Sequence, residues 1–216
     1  MKITYLGHSC FCITGESGVS VITDPYTRVG YELPKGLTAD IVLCSHQHFD
    51  HNYVEAIEGF PEVVTASSIG TVNGVEISGY DTWHDEQKGK LRGKNVVFQF
   101  TIEGITFCHF GDLGQAYSKE MDAILYGADV WLIPVGGKYT IDAEQAIKYI
   151  EEFSPKLVIP MHYRPEDGAL DIAGIDNFLS KVDKNRVICC ENCELLLDKV
   201  RLEEWTGKII YMERKK

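Results

Sequence analysis

Ile41-Val42-Leu43-Cys44-Ser45-His46-Gln47-His48-Phe49-Asp50-His51 runs from four apolar residues straight into three histidines and an aspartate. The apolar run is short and starts on β-branched residues, which reads as a buried strand. Three imidazoles and a carboxylate within six residues at a strand end are a dense set of nitrogen and oxygen donors suited to borderline divalent metals. The bland alternative is a solvated histidine-rich loop, which would need nothing else from the sequence.

Residues able to complete a site do occur elsewhere. They are His84 in Asp81-Thr82-Trp83-His84-Asp85, Asp112 in His109-Phe110-Gly111-Asp112, and His162 in Ile159-Pro160-Met161-His162-Tyr163. Asp112 and His162 each follow a predicted buried strand, so strand ends from distant parts of the chain can meet on one rim.

A weak internal repeat predicts the architecture. Strand-like Val19 to Thr23 ends in Asp24-Pro25, and Ile105 to His109 leads to Gly111-Asp112. Ala39-Asp40-Ile41-Val42-Leu43 pairs with Ala128-Asp129-Val130-Trp131-Leu132, and Pro61-Glu62-Val63-Val64 with Pro155-Lys156-Leu157-Val158. A helical segment is expected between the last two runs in both halves. In the second half Ala143, Ala146, Ile147, Ile150 and Phe153 form an apolar stripe behind Thr140, the expected N-cap. A further helix is expected near Ile172 to Val182, and short strands at Arg186 to Cys190, Glu194 to Leu197 and Ile209 to Met212. Helices with one apolar face must cover a sheet, so the expected fold is α/β, a four-layer αββα sandwich of two pseudo-symmetric halves. No linker or low-complexity tract divides the chain, so residues 1–216 are expected to form a single domain with halves of about 1–95 and 96–216.

Composition narrows the function. A 44% hydrophobic content over 216 residues is ample for a core, and no apolar run approaches the ~20 residues that span a bilayer. Residues Met1 to His8 enter strand-like sequence without a secretory signal pattern, so a cytoplasmic location without membrane association is expected. A net charge of −11 disfavours a nucleic-acid partner and leaves a small-molecule substrate; self-association into a homo-oligomer stays open. Seven cysteines are an odd number for a disulfide framework, and Cys10, Cys12, Cys44 and Cys108 read as buried small hydrophobes. Cys189, Cys190 and Cys193 contain one CxxC spacing with no second pair, and their role stays open.

With these residues in place, the sequence resembles the metallo-β-lactamase superfamily, whose HxHxDH motif His46 to His51 matches in full. More narrowly, Tyr5-Leu6-Gly7-His8-Ser9, Ile22-Thr23-Asp24-Pro25, Pro134-Val135-Gly136-Gly137-Lys138-Tyr139-Thr140 and Pro160-Met161-His162-Tyr163 look like its bacterial branch that includes L-ascorbate-6-phosphate lactonase. The resemblance implies two metal ions, His46, His48 and His84 on the first, Asp50, His51 and His162 on the second, and Asp112 bridging. Zinc is the first choice on ligand softness, with manganese, or iron at the oxygen-richer second site, as alternatives. His8, Asp24 and His109 are expected to support the ligands from behind, and Lys138, Tyr163 and Arg164 to flank the substrate.

Such a site implies hydrolysis of a small ester, lactone or phosphoester by a metal-bridging hydroxide, with Asp50 as both ligand and catalytic group. A phosphodiesterase or nuclease on the same metals would need a basic exosite, which the sequence lacks. A flavodiiron-type redox enzyme would carry a carboxylate at the position of His48 and an appended flavin domain. A decayed, non-catalytic scaffold conflicts with seven intact ligand positions.

Overall fold

The computed structural model describes residues 1–190 and 192–215. Its first strands are β1 (Lys2–Gly7), β2 (Cys10–Thr14), β3 (Ser20–Thr23), β4 (Leu37–Thr38), β5 (Ile41–Leu43), β6 (Ile57–Glu58) and β7 (Glu62–Val64). There follow β8 (Ile69–Val72), β9 (Val75–Trp83), β10 (Lys94–Ile102), β11 (Ile105–His109), α1 (Glu120–Leu125), β12 (Val130–Pro134), α2 (Ala143–Phe153) and β13 (Leu157–Met161). The last elements are α3 (Asp176–Leu179), β14 (Val187–Cys190), β15 (Glu194–Leu196), α4 (Lys199–Glu204) and β16 (Lys208–Met212). The two main sheets have the orders β15-β1-β2-β3-β5-β7 and β14-β16-β13-β12-β11-β10-β9-β8, and β4 pairs with β6.

The repeat is present in the strand pairing. β1-β2 and β2-β3 are antiparallel and β3-β5 and β5-β7 parallel; β9-β10 and β10-β11 are antiparallel and β11-β12 and β12-β13 parallel. Sheets and sequence halves do not coincide, however. β8 and β9 precede residue 95 yet belong to the second sheet, and β15 returns to the first, so the sheet boundary falls between Val64 and Ile69. Without β9 the long strand β10 would be an open edge with a row of unpaired backbone groups.

Period-two alternation builds the layers. Ile3, Tyr5, Phe11, Ile13, Val21, Ile41 and Leu43 join one apolar cluster with the second sheet and its helices. Leu6, Cys10, Ile22 and Val42 form a separate cluster with Tyr26, Val29 and Ile57. The helix expected after β5 is absent: a single 3-10 turn, Val54–Ala56, stands there. The metal-type loop uses up residues to His51, and Gly59 in the left-handed region (φ +91°) followed by Pro61 leaves too little chain to propagate a helix.

Helix α2 buries Ala143, Ala146, Tyr149 and Ile150. Its N-cap is Asp142, not Thr140: Asp142 accepts from Gln145 N–H, and the Gln145 side chain accepts from Asp142 N–H, a capping box. The helix expected over 172–182 shrinks to α3, although Phe178 is buried and Ile175, Leu179 and Val182 pack beside it. Backbone bonds explain the shortening, because Ala173 donates to Gly136 O and accepts from Arg164 N–H, which holds that segment against the chain after β12 and after β13. The three C-terminal strands lie where expected.

These pairings give strands β1, β3 and β5 one direction within the first sheet, and β9, β11, β12 and β13 one direction within the second. His8, Asp24, His46 to His51, His84, Asp112 and His162 all follow the C-terminal ends of strands from those two sets.

Candidate metal centre

The loop after β5 is braced from below by one carboxylate. Ser45 N–H donates to Asp24 Oδ1 and Ser45 Oγ to Asp24 Oδ2, both at 2.7 Å. The same Oδ2 lies 2.7 Å from His51 Nδ1, which turns His51 Nε2 away from it, toward Asp112 Oδ1 at 3.2 Å. Asp24 thus orients a metal-facing imidazole through its far nitrogen.

Asp112 is positioned from the second sheet. Its N–H donates to Asn95 Oδ1 (2.8 Å), while Asn95 Nδ2 donates to Thr82 Oγ1 and Phe110 O (both 2.9 Å). Gly111 before it adopts φ +54°, and a Cβ there would stand 2.4 Å from Asn95 Oδ1 and from Ser45 Cβ. Only glycine lets the loop pass so close to the first sheet. His84 Nδ1 lies 3.0 Å from Tyr139 O and donates to it, which leaves Nε2 facing Asp112 Oδ2 at 3.2 Å.

Two groups of donors result. His46, His48 and His84 form one, and Asp50, His51, His162 and His8 the other, with the donor atoms of each group within 4.8 Å of one another. Asp112 lies between them. Its Oδ1 is 3.2 Å from both His51 Nε2 and His162 Nε2, and its Oδ2 is 3.2 Å from His84 Nε2 and 3.9 Å from His46 Nε2.

The chemistry of this donor set fits cations. Asp112 Oδ1 and both ring nitrogens of His162 are buried without a hydrogen-bond partner, despite the 3.2 Å between Oδ1 and Nε2, so these atoms converge on a shared space rather than on each other. Burial holds His46 well below the usual imidazole range and also lowers His48, so both are neutral donors. Burial raises Asp112, but His162 and His51 outweigh it and keep the carboxylate ionised. Burial likewise opposes the charge on Asp50, which its hydrogen bond to His8 and the neighbouring His51 overcome. Ionised Asp112 and Asp50 beside the neutral nitrogens of His46 and His48 are the kind of donors a divalent ion requires.

The remaining residues separate. His109 is buried with Nε2 donating to Ser9 O at 2.9 Å and its Nδ1 accepting from Gly111 N–H, so it links the two sheets behind the site. Lys138 flanks a cleft beside His84 but is paired with Asp171. Tyr163 and Arg164 are not brought to the donor clusters. The left-handed turn at His162 (φ +51°) sends Tyr163 back into the core, with its hydroxyl on Met212 O, and Arg164 lines a separate cavity with Tyr5, Tyr31 and Arg214. All seven cysteines are free, and among the described residues none belongs to a group able to hold a metal.

Several contributing residues escape sequence reasoning. Asn95 is fully buried, and its only local signal is a polar residue where β10 turns apolar. Asp85 accepts backbone N–H groups from Gln87, Gly89, Leu91 and Arg92, which folds that loop around one carboxylate. The loop delivers Arg92 to a cleft of about 490 Å³ lined by His46 and His48 and to another of about 190 Å³ lined by His84 and Lys138. The Arg92 guanidinium lies 5.2 Å from the Tyr139 ring centre and forms no salt bridge among the described residues, whereas Lys94 pairs with Asp81.

Two facing mixed sheets with a buried histidine–aspartate cluster on their common rim define a hydrolase of the metallo-β-lactamase fold. A family model described as a β-lactamase superfamily domain matches residues 2–162. The UPF0173 metal-dependent hydrolase of Carboxydothermus hydrogenoformans is 30% identical over 198 residues, spanning 76% of this chain and 84% of that protein. Its Pyrococcus furiosus counterpart is 30% identical over 192 residues with the same coverage. A crystal structure from Thermotoga maritima, assigned as a zinc-dependent hydrolase of the metallo-β-lactamase superfamily, superposes with a TM-score of 0.80 at 35% identity and covers 99% of each chain. The chain belongs to this superfamily and is a metal-dependent hydrolase.

Proposed function

We propose that the chain hydrolyses a small anionic ester, lactone or phosphoester at a two-metal centre. His46, His48 and His84 would hold the first ion, Asp50, His51 and His162 the second, and Asp112 both. The observation that carries this reading is the division of Asp112, one oxygen 3.2 Å from His51 and His162 and the other 3.2 Å from His84. Two such ions supply acidity to a water and polarise a carbonyl or phosphoryl oxygen.

The chain's own residues supply the rest. Asp24 and the Tyr139 carbonyl fix the His51 and His84 tautomers, Asn95 fixes Asp112, and Asp50 stays ionised. The clefts reaching His46, His48 and His84 suit a small molecule rather than a polymer. Arg92, without a carboxylate partner among the described residues, supports the choice of an anionic substrate. Zinc suits the all-imidazole first group.

Metal analysis after saturation with zinc or manganese, followed by assay of lactones, thioesters and phosphodiesters, tests the reading. Two ions per chain and turnover of a small anionic ester are expected. One ion at saturation, or turnover confined to nucleic acid, overturns it.

A further inference from the structure

His8 stands outside the seven residues of the ligand set above, but its geometry is that of a donor. It follows β1 in the left-handed region (φ +52°), directly after Gly7 at φ +111°. Its backbone is pinned on both sides: N–H donates to Tyr31 Oη at 3.1 Å, and its carbonyl accepts from His162 N–H at 2.9 Å and Tyr5 Oη at 3.1 Å. This anchoring aims the buried ring inward. Nε2 lies 3.2 Å from His51 Nε2 and 3.4 Å from Asp50 Oδ2, and the ring centre is 4.2 Å from that of His162.

Neighbouring donors around one four- or five-coordinate zinc ion, at the usual bond lengths, stand about 2.9–3.6 Å apart. The His8 separations of 3.2 and 3.4 Å fall within that range. A proton on His8 Nε2 could serve Asp50, but the His51 Nε2 at 3.2 Å then meets the same nitrogen without sharing a role. A cation between them satisfies both lone pairs.

We propose that His8 is a direct ligand of the second ion, which would then be held by His8, His51, His162 and Asp50 together with the Asp112 bridge. The proposal rests on the two-ion reading above. It makes the centre asymmetric. The second ion receives five protein donors, three of them imidazoles, while the first keeps three imidazoles and Asp112. A second independent observation agrees: both clefts are lined by histidines of the first group, and neither is lined by His8, Asp50, His51 or His162. His48 is exposed whereas His8, His51 and His162 are buried. The open position for water and substrate therefore lies on the first ion, and the second serves as the firmly held anchor. The second ion should accordingly be the harder of the two to remove, although a count that omits His8 gives it fewer nitrogen donors.

The test is zinc binding by equilibrium dialysis against a competing chelator, with wild type, His8→Asn and His48→Asn compared. Asn tolerates the left-handed backbone but cannot reach the site. Wild type is expected to bind two ions, and folded His8→Asn to bind the second-site ion at least about a hundredfold more weakly, beyond the loss typical of a merely supporting residue. His48→Asn should weaken the other ion. Cadmium-113 and nitrogen-15 NMR of wild type gives a check independent of whether the variants fold, with direct coupling expected at His8 Nε2. Two ions bound at wild-type affinity by folded His8→Asn, or coupling at His51 and His162 but not at His8, overturns the assignment while the two-ion reading stands. Wild type saturating at one ion overturns the two-ion reading and the assignment with it.

Discussion

Asp112 and His109 stand three residues apart and have opposite roles. Asp112 faces imidazoles from both groups, whereas His109 Nε2 is spent on Ser9 O. Asp112→Ala and Asp112→Asn should each lose an ion and at least about a hundredfold in turnover, since removal of the bridge charge leaves two cations facing each other. His109→Ala should keep both ions, lose about 1–3 kcal/mol of stability for the broken buried bond, and retain most activity. Metal content, thermal melting and hydrolysis of the three variants decide this, and normal metal content in Asp112→Ala would reverse the mapping. Titration of the buried histidines shapes the pH dependence of stability in metal-free protein. Burial pushes His8 down from 6.5 to about 4 and also lowers His46, His48 and His109. Their neutral forms stabilise the fold above the unfolded value of 6.5, and this is lost as pH falls from 6.5 toward 4. His51 has the opposite sign: burial is outweighed by Asp112 and Asp24, so its contribution is full below 6.5 and fades as pH rises through its elevated value. Chelated protein should therefore melt highest near pH 6.5 and lower on both sides; a melting temperature still rising below pH 5 would contradict the balance.

At the scale of elements, the site depends on loops that only tight contacts between the sheets can place. Gly111 brings the loop after β11 against Ser45 in the loop after β5. Gly111→Ala adds backbone strain and a clash with Asn95 and should cost on the order of 3 kcal/mol. It should also reduce metal content, because the displaced neighbours are Asn95, which holds Asp112, and Ser45, which holds the Asp24 that orients His51; wild-type metal content at reduced stability would separate the two roles. Under the proposed function the Asp85 loop serves substrate capture, through Arg92 on the clefts beside the histidines. Arg92→Ala should raise KM for an anionic substrate about tenfold with kcat changed little, as loss of one charge-assisted contact would. A neutral substrate of the same shape should show no such rise, and an equal rise for both would assign Arg92 to loop structure instead.

At the scale of the whole molecule, metal held as proposed would tie the two sheets together, since His46 to His51 leave the first and His84, Asp112 and His162 the second. An ion present at a thousand times its Kd adds about 4 kcal/mol, or roughly 10 °C in Tm for a chain of this size. Chelation should lower Tm by at least that much, and an unchanged Tm would mean that no ion bridges the sheets. The same division explains what could be read in advance. His46 to His51 are legible because their donors are consecutive and follow one apolar run, and the repeat is legible because period-two alternation is local. The sequence by itself determined the donor types, the strands they follow and the repeated strand unit. Tertiary structure alone decided the replacement of the first-half helix by a loop layer, the transfer of β8 and β9 to the second sheet, the exclusion of Tyr163 and Arg164 from the site, and the place of His8 beside Asp50 and His51. The physical reason is distance along the chain. Hydrogen bonds such as His162 N–H to His8 O and Asp112 N–H to Asn95 Oδ1 link residues 154 and 17 positions apart, and no local pattern records which strand ends will meet.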